Sequence, residues 1–209
     1  MSNENDFEPG DAISLFYVYF GILLFLPYTI VLILLSTPSQ LGWFAYHPPL
    51  LALAFGALAH GITVLQPTSR PESVTPALAT HQIFVGFLGV PLLVTAASLQ
   101  YLHKENLSID HFTSWHGLIG ATTALAIVVQ AAFGGLLGAG IVSRKYYRAH
   151  RLSGYVIFSL ASLAFTLGGL FSTFVVSRTW SATRFIAYGL GPLSVWGGLV
   201  TRARPKKLQ

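Results

Sequence analysis

Seven histidines stand in the chain, at His47, His60, His81, His103, His111, His116 and His150, and there is no cysteine. Without thiols, disulfides, thiolate metal sites and cysteine nucleophiles are excluded, so metal chemistry falls to imidazole. Four of the histidines recur almost evenly, with intervals of 34, 35 and 34 residues between His47, His81, His116 and His150. Such an interval holds one membrane-crossing helix and a short connection. An imidazole inside a bilayer is costly without a partner, so an embedded histidine points first to function. Two of them facing each other across helices supply both axial bonds of a six-coordinate haem iron. The bland competitor is polar contact between helices, worth about a kilocalorie each. One histidine would suit that reading, whereas four at regular depth favour ligation.

The elements that must position these side chains follow from composition. The 209 residues are 53% hydrophobic and 9% charged, with a mean hydropathy of +0.63. Soluble domains carry about a quarter charged residues, so a water-soluble enzyme, a nucleic-acid-binding module and a disordered chain are all excluded. Six apolar stretches, at about 12–36, 45–66, 80–102, 112–142, 150–176 and 185–201, predict six membrane-crossing helices. The expected organisation is an N-terminal tail over 1–11, a transmembrane domain over 12–201 and a basic tail over 202–209. Glu4, Asp6, Glu8 and Asp11 precede the first stretch where a secretory leader would be basic, which predicts a retained helix. Pro48 and Pro49 suit the first turn of the second helix.

Consecutive spans run in opposite directions, and each of the four histidines opens its helix. His47 and His116 therefore lie toward one face of the membrane and His81 and His150 toward the other, which makes two stacked pairs. Gly120 and Gly154 each follow a histidine by four residues, one turn on along the same face, where a missing side chain admits a flat macrocycle. Gln130 and Gly134 fall near the depth of the second pair, and Gln130 can bond either to a cofactor there or to a neighbouring helix. His60 lies thirteen residues beyond His47, about 20 Å deeper. It cannot reach the first iron, and a propionate contact and a helix-to-helix hydrogen bond are equally open to it.

Phe44-x-x-His47-Pro48, His81 at the head of the third helix, Phe112-x-Ser114-x-His116-x-x-x-Gly120 with Gln130-x-x-x-Gly134, and His150-x-x-x-Gly154-Tyr155 together resemble the cytochrome b561 family, over about residues 15–201. The resemblance is to its short stand-alone branch. It implies a six-helix bundle with two b-type haems held among helices 2–5, one by His47 and His116, the other by His81 and His150. It also implies transmembrane electron transfer from a cytosolic reductant, ascorbate or similar, to ferric iron or monodehydroascorbate on the other side. A homodimer follows from the resemblance alone. Ascorbate-using members resemble one another in lysines between helices 2 and 3, where this chain has Arg70 alone beside Glu72.

Charge sets the expected orientation. With six spans, Arg70, Arg144, Lys145, Arg148, Arg151, Arg202, Arg204, Lys206 and Lys207 share the side of both termini, against Lys104, Arg178 and Arg184 opposite. The positive-inside rule places both termini in the cytosol, of a plasma membrane or an endomembrane. Asn106-Leu107-Ser108, a glycosylation sequon, falls on the other side. The basic residues around the cytosolic pair mark topology and attract anionic lipid, and they also form a funnel for an anionic reductant. Arg70, Arg148 and Arg151 are the candidate contacts there. His103, Lys104 and His111 cluster beside Tyr101 and Phe112 on the opposite connection, and the resemblance makes that loop part of the non-cytosolic substrate site. Two other classes compete: a two-haem anchor carrying electrons between quinol and a partner protein, and a haem-free metal or proton transporter.

Overall fold

The computed structural model describes residues 9–66 and 71–202. Glu4, Asp6, Glu8, Arg70, Arg204, Lys206 and Lys207 lie outside the described residues.

The described chain is all-helical. Helix α1 is Pro9–Leu35. A short turn, Pro38–Leu41, and a 3-10 turn, Gly42–Tyr46, lead into α2, His47–Leu65, whose first turn contains Pro48 and Pro49. Their missing N–H groups would be unpaired at a helix start in any case. Helix α3 runs Pro71–His81, widens into a π-helical stretch at Gln82–Gly89 and continues as Val90–Asn106. Helix α4 is Trp115–Gly138; Ser114 caps it, its hydroxyl accepting from the Gly117 N–H at 3.1 Å. Helix α5 is Tyr147–Phe171. Helix α6 combines Ser181–Arg184, a π-helical stretch Phe185–Leu190 and Gly191–Thr201.

Five segments among the described residues are long and apolar enough to cross a membrane: Asp11–Leu35, Pro38–Leu65, Thr75–Asn106, Trp115–Gly138 and Arg144–Phe171. The expected sixth span, 185–201, is helical within the continuous stretch Ser181–Thr201 but is not among the segments long and apolar enough to cross. The chain is thus a multi-pass membrane protein, and α6 packs along α1. The two π stretches share a cause. Each ends two residues before a proline, Pro91 and Pro192. Proline brings no N–H and its ring crowds the carbonyl four residues earlier, so the preceding turn widens.

At mid-bundle, four phenylalanines join three helices. Phe55 of α2 stacks on Phe158 and Phe165 of α5, with ring centres 5.0 and 5.1 Å apart. Phe25 of α1 meets Phe55 and Phe165 edge-on at 5.5 and 4.9 Å. One end of the bundle is tied by Arg202, buried beyond α6, which donates to the carbonyl of Asp11 at 2.9 Å and to that of Gln66 at 2.5 Å. Its guanidinium also stands 3.9 Å from the Asp11 carboxylate.

Candidate haem-binding site

Of the four regularly spaced histidines, the structure brings His47 and His116 together. The rings of His47 and His116 face each other with centres 6.2 Å apart and planes at 78°.

Each ring but one is anchored by a backbone carbonyl on a neighbouring helix. The Nδ1–H of His47 donates to Ala96 of α3 at 3.0 Å. That of His81 donates to Gly61 of α2 at 2.9 Å, and that of His116 to Ala164 of α5 at 2.8 Å. A carbonyl only accepts, so each Nδ1 carries the proton and each Nε2 keeps its lone pair. That is the tautomer a metal-ligating histidine needs, held by the outer partner such ligands use. The Nδ1 of His150 is buried with no hydrogen-bond partner, and its helix is held through the backbone. The Gln130 amide of α4 donates to the His150 carbonyl at 2.5 Å, and Ser153 donates to the Gln130 carbonyl oxygen at 3.0 Å.

These residues fit b-type haem. Two metal–nitrogen bonds of about 2 Å, plus about 1.1 Å from each Nε2 to its ring centre, put a bis-ligating pair about 6 Å apart. The His47 and His116 rings stand at that separation. A Cβ on Gly120 would meet nothing within 4 Å, so this face of α4 leaves clearance beside His116. A Cβ on Gly154 would instead stand 3.2 Å from the Gln130 amide nitrogen, so that glycine makes room for Gln130. Among the described residues no three His, Cys, Asp or Glu side chains gather as a metal cluster. Two protein donors are what haem iron requires.

The remaining histidines divide. His60 is hydrogen-bonded through Nδ1 to the Tyr19 hydroxyl at 2.9 Å, the helix-to-helix contact among its two expected roles. Of the loop residues, His111 is paired with Glu105, Nε2 to Oε1 at 2.7 Å, and stacks on Tyr101 at 4.3 Å. Lys104 donates to the Asp110 carbonyl at 2.7 Å. His103 packs near Phe44, ring centres 5.9 Å apart, and Phe44 in turn neighbours His47 at 6.2 Å. The loop cluster is therefore connected to the first histidine pair through Phe44. Arg148 and Arg151, on either side of His150, are exposed. Sequence reasoning missed Gly168, whose position faces the His116 ring, and Glu105. Gly168 was detectable by its spacing from His150, because Gly134 stands equally far from His116.

The family model described as eukaryotic cytochrome b561 matches residues 46–175, a range that contains all four histidines. The chain belongs to the cytochrome b561 family. Transmembrane reductase CYB561D2 of Bos taurus is 30% identical over 155 residues, covering 70% of this chain and 69% of that protein. Transmembrane reductase CYB561D2 of Mus musculus is 29% identical over 174 residues, covering 79% and 77%. No solved structure shows a significant match. Cytochrome b561 membership brings haem b and electron transport with it, and the anchored histidine pair agrees with both.

Proposed function

We propose that this cytochrome b561 carries single electrons across the membrane from a cytosolic reductant, ascorbate or a similar enediol, to ferric iron or monodehydroascorbate on the other side. His47 with His116, and His81 with His150, would hold two b haems, α6 would complete six crossings, and both termini would be cytosolic. The observation that carries the reading is the His47–His116 pair: 6.2 Å between ring centres, both Nδ1 atoms tied to carbonyls, both Nε2 lone pairs free.

Haem b held by these imidazoles would supply one-electron exchange. The chain's own groups do the rest. The carbonyls of Ala96, Gly61 and Ala164 hold three rings in the ligating tautomer. Gln130 and Ser153 secure the backbone at the fourth. Arg148 and Arg151 provide positive charge where an anionic reductant would approach. His103, Lys104 and His111 line the opposite approach, with Lys104 and His111 already engaged locally. The relatives named transmembrane reductase support an oxidoreductase over a transporter.

The deciding experiment is a haem assay with reduced-minus-oxidised spectra on purified protein, using ascorbate and then dithionite. Two b haems per chain, at least one reduced by ascorbate, are expected. A colourless, folded preparation from haem-replete cells would refute the reading, and reduction by dithionite alone would remove ascorbate as donor. In His116→Ala and His150→Ala one haem should be lost and transmembrane transfer abolished. Full haem retention in either variant would overturn the ligand assignment.

A further inference from the structure

The antiparallel helices α4 and α5 exchange ring for glycine in a reciprocal way. His116 of α4 lies against Gly168 of α5: a Cβ there would stand 2.6 Å from its Cε1 and 2.7 Å from its Nδ1. His150 of α5 lies against Gly134 of α4, where a Cβ would stand 2.7 Å from its Cε1 and 3.2 Å from its Nε2. Real Cβ atoms do not approach so closely, so any side chain at either glycine would displace a ring or separate the helices. Both helices space their own histidine and glycine by eighteen residues, about five turns, which puts the two on one helical face. Two such helices laid antiparallel bring each histidine to the other's glycine.

We propose that Gly168 and Gly134 are positioning residues, each a side-chain-free seat that sets the imidazole of the opposite helix in its ligating pose. The proposal rests on the haem-ligand reading above. It assigns a crossed dependence: a glycine on α5 controls the haem held by α4's histidine, and a glycine on α4 controls the haem held by α5's. At the Gly168 seat the pose is also fixed by the bond from His116 to the Ala164 carbonyl, one turn before the glycine. A ring pushed off Gly168 loses that partner and tilts its bond to iron.

The test uses the full chain purified with its haems. Low-spin electron paramagnetic resonance signals and haem stoichiometry are recorded for Gly168→Ala, Gly134→Ala and Gly135→Ala, with signals assigned from His116→Ala and His150→Ala. Gly168→Ala should shift or lose the signal missing in His116→Ala and leave the other in place, with roughly tenfold weaker haem retention at that site. Gly134→Ala should do the reverse. Gly135→Ala, where a Cβ would meet nothing within 4 Å, should leave both signals unmoved. If Gly168→Ala does not accumulate, Gly134→Ala carries the same crossed expectation. Loss of folding in both counts against the seats, because it assigns the glycines to general helix packing. Equal effects on both haems, or effects on the haem of the substituted helix, overturn the proposal. If His116→Ala keeps both haems, the ligand reading falls; if it loses one while Gly168→Ala moves nothing, only the seat falls.

Discussion

At the scale of single residues, a carbonyl bond decides what each imidazole can do. A histidine in an apolar bundle would otherwise choose its tautomer freely. Donation to Ala96, Gly61 and Ala164 removes that freedom at three of the four positions. The fourth, His150, lacks such a partner and is steadied through Gln130. Arg202 is the other residue whose chemistry is settled by its partners. Its planar fork reaches two carbonyls from different helices beside the Asp11 carboxylate, a geometry that a lysine ammonium does not reproduce. Arg202→Leu removes a buried guanidinium from the Asp11 and Gln66 carbonyls and from beside the Asp11 carboxylate, and should destabilise the protein by about 3–5 kcal/mol. Thermal unfolding in detergent, followed by circular dichroism, measures this; Arg202→Lys should recover little of the loss.

At the scale of elements, register is the controlling quantity. Helix α2 presents His47 to α3 and Gly61 to His81, fourteen residues apart, whereas α3 places fifteen between His81 and Ala96. A regular helix would rotate one of the α3 positions by about 100° from its partner. The π stretch Gln82–Gly89 absorbs the additional residue and keeps both in line. One alanine inserted between Val85 and Gly86 adds a second residue and should turn His81 away from Gly61. On the proposed ligand assignment, the expected result is loss of a haem at His81 and His150 with retention of one at His47 and His116, read from haem content and the reduced-minus-oxidised spectrum. Both haems surviving would show that α3 tolerates the register change.

At the scale of the whole molecule, charge directs traffic. The chain carries a formal net charge of +5, and Arg148 and Arg151 are exposed next to His150. Exposed charges steer a charged reactant over a range set by ionic strength. With ascorbate as the proposed donor, replacing both arginines with alanine should therefore raise its KM several-fold and leave kcat largely unchanged. The native rate should fall with added salt, and a neutral one-electron donor should respond to neither change. Steady-state kinetics across a salt series distinguishes steering from a role in chemistry, which would lower kcat.

Much of this was legible along the chain. Period and direction follow from counting residues, so the multi-pass membrane class and the approach of His47 to His116 needed no coordinates. Hydropathy reaches its limit at the sixth stretch, which is helical but falls outside the segments long and apolar enough to cross. Lateral relationships were beyond reach, because sequence spacing defines a face of one helix and leaves open which helix meets it. Thus Gly154 was expected to face a cofactor and receives the Gln130 amide. His60 had two candidate partners until packing brought Tyr19 within 2.9 Å. Gly168 acquires meaning only when antiparallel packing lays His116 upon it. Depth in a bilayer is a one-dimensional property that a linear chain can encode, whereas partnership between faces is set by the packing of helices against one another.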